Sequence, residues 1–585
     1  MTLPNQTSFK SHFEDLLRHA LRTLSAAELD INIEFSRPKQ TDHGDYSCNL
    51  AMQLAKPLRK NPRDIATLLI NAMPASPHLE KIEIAGAGFI NLFLKTASKQ
   101  QFPRIVLEGG KKFGYGTFGS NKKIQVEFVS ANPTGPLHVG HGRGAAFGAS
   151  LANILAAAGF SVSREYYVND AGRQMDILAT SVWLRYLELN GRDVLFPSNC
   201  YQGEYVRDMA KSIYKAHGSN YLPQHEMLTS AVASEQIKEE SAAEILLDQL
   251  ISEAKNSLGQ GYAYIHNFVL TEQLSDCRND LMEFGVVFDT WFSEQSLFEN
   301  DAVSKVIASL KQNDFLYSKD GAIWFRSTDF GDEKDRVVQR ENGKFTYFAS
   351  DIAYHLNKFQ RGFERIINVW GADHHGYIPR MKGAMQALTL DPTKLEIALV
   401  QFAVLYRDGV KAPMSTRSGE FVTLRELRKE VGNDAARFFY LLRKSDQHLD
   451  FDLDLAKSQN NDNPVYYVQY AHARVCSVME QWGESPSLLT TADTSQLSSA
   501  AELSLLQKLI DYPEIVAASA RDLSPHLVAF YLRELAAEFH SYYNSSRFLV
   551  PEIPIRLARL ALISSIRQVL VNGLTLLGVS APDKM

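Results

Sequence analysis

Apolar residues in the opening stretch SFKSHFEDLLRHALRTL return every three or four positions. Phe9, Phe13, Leu16, Leu17, Ala20, Leu21 and Leu24 therefore share one broad face, the pattern of an amphipathic helix. DYSCNLAMQLAKPL and RDIATLLINAM predict two further helices. KIEIAGAGFINLFL alternates instead, which predicts two strands broken by a Gly-Ala-Gly turn or bulge. The glycine-rich GGKKFGYGTFGS at 109–120 reads as a linker, closing a small α+β module over residues 1–112.

The pattern changes at Lys122. A strand-like KKIQVEFVSA runs through the turn-forming NPTGP into the small-residue helix GHGRGAAFGASLANILAAAG, and the strand SVSREYYV follows. Strand, helix, strand is the βαβ unit of a parallel, doubly wound sheet. Gly140, Gly144 and Gly148 recur every four residues and give the helix a bulk-free face, with sheet packing expected at Gly144 and Gly148. A polar helical insertion covers about 175–275, and strand patterns return in GAIWFRS, RVVQRENGKFTYFASDIAY and RIINVWGADHHGY. More strands flank a Gly- and Ser-rich loop in 395–425. From 456 to 585 the spacing is almost purely helical, in four segments, which predicts an all-α bundle. The chain is thus a multidomain α/β protein: a parallel-sheet domain over 113–455 between the N-terminal module and the bundle.

Composition adds exclusions rather than a function. With 45% hydrophobic and 22% charged residues the chain is an ordinary globular one. No uncharged apolar run approaches the roughly 20 residues that span a bilayer, and the N-terminus lacks a secretory pattern, so a cytoplasmic protein without a membrane partner is expected. Cys48, Cys200, Cys277 and Cys476 are too scattered for a disulfide framework or a zinc ribbon, and no structural zinc is expected. The net charge of −6 gives no overall attraction to nucleic acid. The local basic run KPLRKNPR, with Lys56, Arg59 and Lys60, suits phosphate contacts, although such a run also serves as a solvated helix end.

Candidate chemistry concentrates in ANPTGPLHVGHGRG, residues 131–144. At a strand-to-helix crossover, backbone N–H groups and the helix dipole converge on phosphates. Gly140 permits close approach of a ligand. His138 and His141, three apart, share a face and can donate N–H bonds to a polyphosphate. A metal pair or two capping histidines are the alternatives.

PLHVGH resembles the HIGH signature of class I aminoacyl-tRNA synthetases, and APMSTRSG at 412–419 resembles their KMSKS signature, keeping Met414 and Ser415. Thr416 and Arg417 stand where the second lysine is expected, leaving Arg417 or Lys411 as the replacement cation. VEFVSANPTGPLHVGHGR, REYYVNDAGRQ, TYFASDIAYH and VWGADHHGYIPRM are similar to arginyl-tRNA synthetases, and HGDYSCNLAM, GAGFINLFL and DNPVYYVQYAHAR resemble that family's N-terminal and anticodon-binding domains. The resemblance implies a Rossmann-like catalytic domain and ATP-dependent attachment of arginine to its tRNA through an arginyl-adenylate, with Mg²⁺.

The resemblance places ATP against Ala131, Pro133, Thr134, Gly135, Pro136, Leu137, His138, Gly140, His141, Gly371, Asp373 and His374. It makes His138, His141, Met414, Ser415 and Arg417 catalytic, and puts arginine against Glu127, Asn132, His141, Tyr347 and Asp351. Carboxylates suit that substrate, because a guanidinium needs acceptors in a planar fork. For the tRNA, Tyr466, Tyr470, Tyr543 and Asn544 join the basic run, since splayed bases stack on aromatics, although aromatics at helical spacing also build cores. A monomer, no DNA partner and no resident metal ligands complete the expectation.

Overall fold

The computed structural model describes residues 9–24, 31–38, 43–223, 240–412 and 422–585. The first helix, Phe9–Thr23, buries Phe9, Phe13, Leu16, Leu17, Ala20 and Leu21, as its spacing predicts. It packs with helices Leu50–Leu58 and Pro62–Ala72 on an antiparallel sheet of order β1-β2-β4-β3. The strands are β1 (Phe35–Ser36), β2 (Tyr46–Cys48), β3 (Leu79–Ala85) and β4 (Phe89–Leu94). β2 corrects the helix expected from Asp45: Tyr46–Cys48 pairs with Ile90–Leu92, a ladder partner more than forty residues away that local periodicity does not reveal.

The stretch read as a linker is docked. Phe113 is buried and stacks on Tyr512, and the Asn572 amide donates to the carbonyls of Gly110 (2.9 Å) and Phe113 (3.0 Å). Gly114, at φ +93°, lies so close that a Cβ there would reach the Tyr512 ring at 2.3 Å. Its glycines serve close contact with the C-terminal bundle, not mobility.

The central domain holds β5 (Lys123–Glu127), β6 (Ser161–Val168) and β7 (Thr290–Ser293). An antiparallel trio follows, β8 (Leu316–Lys319), β9 (Ala322–Phe325) and β10 (Arg336–Gln339), and then β11 (Arg365–Gly371) and β12 (Leu395–Val400). The main sheet has the order β12-β11-β5-β6-β7 with every pairing parallel. That is the doubly wound arrangement, and its order reverses between β5 and β11, where such folds place ligands. Helices Arg173–Leu189, Glu204–His217, Glu240–Leu258 and Gln260–Glu283 form the insertion between β6 and β7. TYFASDIAY, grouped with the strands by its aromatic and branched content, is the start of helix Tyr347–Gln360. Its burial at Phe348, Ala349, Ile352 and Ala353 follows the helical period.

The crossover helix Val139–Ala157 buries most of its length, and its glycines divide differently from the every-fourth pattern. A Cβ at Gly148 would fall 2.2 Å from Phe128 and one at Gly142 would fall 2.8 Å from Tyr440, whereas one at Gly144 would meet nothing within 4 Å. Packing at Gly148 is as expected; at Gly144 it is absent. Gly144→Ala is therefore expected to stabilise by about 1 kcal/mol through helix propensity, and Gly148→Ala to destabilise by roughly 3 kcal/mol through overpacking. Thermal unfolding of the two variants checks this, and a lower Tm for Gly144→Ala contradicts it.

Helices Pro464–Trp482, Ala500–Arg521, His526–Ser545 and Ile553–Leu577 build the C-terminal bundle. The last is long and apolar enough to cross a membrane, but 78% of its most apolar window is buried inside the bundle. Arg437 ties bundle to sheet domain, its buried guanidinium donating to the carbonyls of Leu577 and Phe284, each at 2.9 Å.

Candidate active site

β5 ends at Glu127, and the backbone then turns through Val129 (φ +67°) and Ser130 (φ +42°). A branched residue at positive φ is strained. The turn brings the Ser130 hydroxyl to donate to Glu127 Oε1 at 2.9 Å while accepting the backbone N–H of Tyr167 at 3.1 Å. Ala131 and Leu137 turn their side chains into the core, and Pro133 is also buried. Tyr205, from the insertion, donates to the Thr134 carbonyl at 2.7 Å and pins this loop.

His138 caps the crossover helix: its Nδ1 accepts the Gly140 N–H at 3.1 Å, and His141 Nδ1 accepts the His138 N–H at 3.3 Å. A ring nitrogen that accepts carries no proton, so both rings are neutral with the proton on Nε2. Burial lowers both, and beside His138 it pushes His141 down to about 3. The rings stack at 3.6 Å between centroids. The capping alternative is thus realised, and the caps use Nδ1 of both rings. A Cβ at Gly140 would meet the His138 ring at 2.8 Å and Phe402 at 3.1 Å, and Phe402 is half exposed just beyond the carboxyl end of β12.

Buried Arg143 holds this corner by donating to the carbonyls of Gln401 and Gln447 at 2.8 Å and Lys444 at 3.0 Å. Met414, Ser415 and Arg417 lie outside the described residues. The residues after them are anchored to the histidine corner: Val139 N–H donates to Val422 O at 3.0 Å and Leu424 N–H to Leu137 O at 2.7 Å. Gly371 ends β11, and Asp373 and His374 follow it, both exposed, with Asp373 Oδ1 and His374 Nδ1 3.1 Å apart.

Acids gather across the β5–β11 junction. Glu127 is 7% exposed and pairs with the fully buried Lys358. Asp351 accepts from Tyr377 Oη at 2.5 Å, and its carboxyl is pushed up to about 7 by burial, with Glu294 and Glu127 adding negative charge nearby. Glu294, directly after β7, is 3% exposed; Ser350 donates to Oε1 at 2.8 Å, the Tyr167 hydroxyl faces the same carboxyl, and burial raises its pKa. Tyr347 is 54% exposed at the start of the helix that carries Asp351, and Asn132 is exposed on the loop. A pocket with three gathered acids and one resident lysine is short of cationic donors. Glu294 and Lys358 were not found in the sequence. Glu294 follows a strand of only four residues, and Lys358, seven residues beyond Asp351, reads locally as a solvated helix end.

In the bundle, Tyr466 and Tyr470 stack at 5.8 Å, and the Arg474 guanidinium lies 4.5 Å from the Tyr470 ring and 4.6 Å from Tyr543. The structure therefore joins three expected aromatics around a cation that sequence reasoning missed, although Arg474 repeats the spacing of Tyr466 and Tyr470. Asn544 is exposed beside them, while Tyr542 belongs to the core and donates to Glu502 at 2.9 Å. Lys56, Arg59 and Lys60 are exposed at the end of helix Leu50–Leu58. Among the described residues one grouping of potential metal ligands occurs, His472, Cys476 and Asp583; its groups already bond one another and the Pro582 carbonyl, with Arg567 3.8 Å from the thiol.

Three family models match along the chain: "Arginyl tRNA synthetase N terminal domain" at 11–94, "tRNA synthetases class I (R), catalytic domain" at 103–447 and "DALR anticodon binding domain" at 468–585. The arginine–tRNA ligase of Nitrosospira multiformis is 73% identical over 585 residues, all of both chains. The chain belongs to the class I arginyl-tRNA synthetases. The ligase of Nitrosomonas eutropha is 64% identical over 99% of each chain. Among solved structures, a putative arginyl-tRNA synthetase of Campylobacter jejuni superposes with TM-score 0.73 at 32% identity, covering 84% of this chain and 100% of that one. The arginyl-tRNA synthetase of Thermus thermophilus gives TM-score 0.74 at 23% identity over 98% and 99%, a likeness of fold. Membership in the arginyl-tRNA synthetases makes arginine and tRNA the substrates whose sites the geometry has to supply.

Proposed function

We propose that this arginyl-tRNA synthetase joins arginine to its tRNA in two steps at the β5–β11 junction. The arginine carboxylate attacks the α-phosphorus of ATP, pyrophosphate leaves, and arginyl-adenylate remains. The terminal ribose hydroxyl of the tRNA then attacks the activated carbonyl, and AMP leaves. His138 and His141 offer neutral Nε2–H donors to the phosphates from the start of the crossover helix. Being uncharged, they leave charge neutralisation to the Mg²⁺ that ATP carries on its phosphate oxygens and to the segment holding Met414, Ser415 and Arg417. Backbone from Ala131 to Leu137, Gly140, and Gly371 with Asp373 and His374 contact the nucleotide.

The guanidinium lies against Glu127, Asp351 and Glu294, with Asn132 and Tyr347 at its polar rim. The observation that carries this reading is the juxtaposition of a cation-deficient acid pocket and a helix-start histidine pair at one switch point. Residues 1–112, through Lys56, Arg59 and Lys60, and the bundle from 456, through Tyr466, Tyr470, Tyr543 and Asn544 around Arg474, hold the tRNA.

Arginylation of purified tRNA assayed with each proteinogenic amino acid tests the reading. Incorporation of arginine alone is expected, and equal incorporation of lysine would remove the assigned pocket. The family resemblance also suggests that tRNA must be bound before adenylate forms; equal ATP–pyrophosphate exchange with and without tRNA would exclude this.

A further inference from the structure

Helix Tyr347–Gln360 brings more to the pocket than the two residues assigned to arginine. Lys358 falls on the face of Asp351 and Tyr354, is 0% exposed, and its ammonium is enclosed by Glu127 Oε2, Asn368 Oδ1 at 2.8 Å and the Tyr354 ring at 4.3 Å. Glu127 and Asn368 are register partners on β5 and β11, so Lys358 sits across the switch point itself. The chain continues: Asn368 Nδ2 lies 2.8 Å from His355 Nε2, and His355 Nδ1 lies 2.8 Å from the Asp351 carbonyl. Its proton positions are determined. An ammonium only donates, so the asparagine oxygen faces Lys358 and its N–H₂ faces His355. The Asp351 carbonyl only accepts, so His355 carries its proton on Nδ1 and accepts at Nε2. Lys358 is thus linked to Glu127 through its carboxylate and to Asp351 through its backbone.

We propose that Lys358 is a positioning residue for arginine recognition: a resident cation that holds and aims the Glu127 carboxylate, and that fixes the backbone carrying Asp351. The inference rests on the assignment of Glu127 and Asp351 to the guanidinium. Three acids in one poorly solvated pocket repel one another. One buried ammonium offsets one of those charges and leaves an excess of negative charge to receive the substrate's cation. Lys358 approaches Glu127 Oε2 only, so Oε1, shared with the Ser130 hydroxyl, is the oxygen left toward arginine.

Steady-state arginylation by Glu127→Gln, Lys358→Met and the double variant tests this in the full chain. Each single change is expected to raise the KM for arginine about 30-fold and to leave the KM for ATP within about twofold, because the nucleotide contacts are untouched. The double variant should match Glu127→Gln, since Lys358 acts through that carboxylate. An unchanged arginine KM in Lys358→Met beside a raised one in Glu127→Gln overturns the role of Lys358 and leaves the pocket assignment standing. An unchanged arginine KM in Glu127→Gln overturns that assignment and, with it, the inference. Equal rises in both KM values, or single effects that multiply in the double variant, mark Lys358 as a general structural element and also overturn it. Should Lys358→Met fail to fold, the double variant, which buries neither charge, decides alone: an arginine KM equal to that of Glu127→Gln supports the role, and a further rise refutes it.

Discussion

His141→Ala is expected to lower arginine-dependent ATP–pyrophosphate exchange, measured with tRNA present, by about 10²–10³-fold, the range for losing one preorganised donor to developing charge. Affinity for tRNA should stay nearly unchanged, because the aromatic cluster around Arg474 and the basic run at 56–63 lie on other domains. The stability effect is separable from the catalytic one. Losing the acceptor for the His138 N–H removes a helix cap, worth about 1 kcal/mol, a modest drop in Tm beside a large drop in rate. A pH arm sharpens the test. Because burial pushes His141 down to about 3, activation should show no titration of His141 between pH 6 and 8. A large loss of tRNA binding with normal exchange would contradict the role assigned here.

Asp351→Asn is expected to raise the KM for arginine about 10²-fold through loss of a charged acceptor in a buried site, with the KM for ATP unchanged. The unmodified protein should show a matching pH dependence. The Asp351 carboxyl is pushed up to about 7 by burial and by the neighbouring acids Glu294 and Glu127, so below that pH it is protonated and cannot take the guanidinium's charge. Arginine affinity is therefore full above about pH 7 and falls as the pH drops through it, and the variant loses this dependence. Stability follows the same sign. A carboxyl raised above its unfolded value favours the folded state below the ordinary aspartate range and loses that contribution as pH rises through about 7. Bound arginine restores it, so arginine should raise the Tm more at pH 8 than at pH 6. Equal Tm shifts, or an arginine KM flat across that range, would refute the assignment.

Much of this site was legible before folding. The crossover at 131–144 announces phosphate chemistry because strand, turn glycine and helix start are contiguous, and contiguous geometry is what periodicity and turn residues encode. Glu127, on the strand that enters the crossover, and Asp351, in TYFASD, came with the family resemblance. Glu294, Lys358 and Arg474 were not legible, and the reasons are physical. Glu294 depends on β7 lying at the sheet edge, and Lys358 depends on β5 and β11 being neighbours although more than 230 residues separate them. Arg474 acquires its meaning only when helix His526–Ser545 brings Tyr543 against it.

The same division holds for the fold. Local hydrophobic spacing settles the four bundle helices, the βαβ start and the helix Phe9–Thr23, because burial on one face is a property of a single element. Strand Tyr46–Cys48, the docked segment around Phe113 and the open space at Gly144 were decided by partners distant in sequence. By itself the sequence determined the amphipathic helices and the βαβ start, and which residue types suit phosphate and guanidinium. Only the tertiary structure decided the electrostatics, because the ionisation of Asp351 depends on burial and on which charges lie within a few ångströms, and packing alone brings those together.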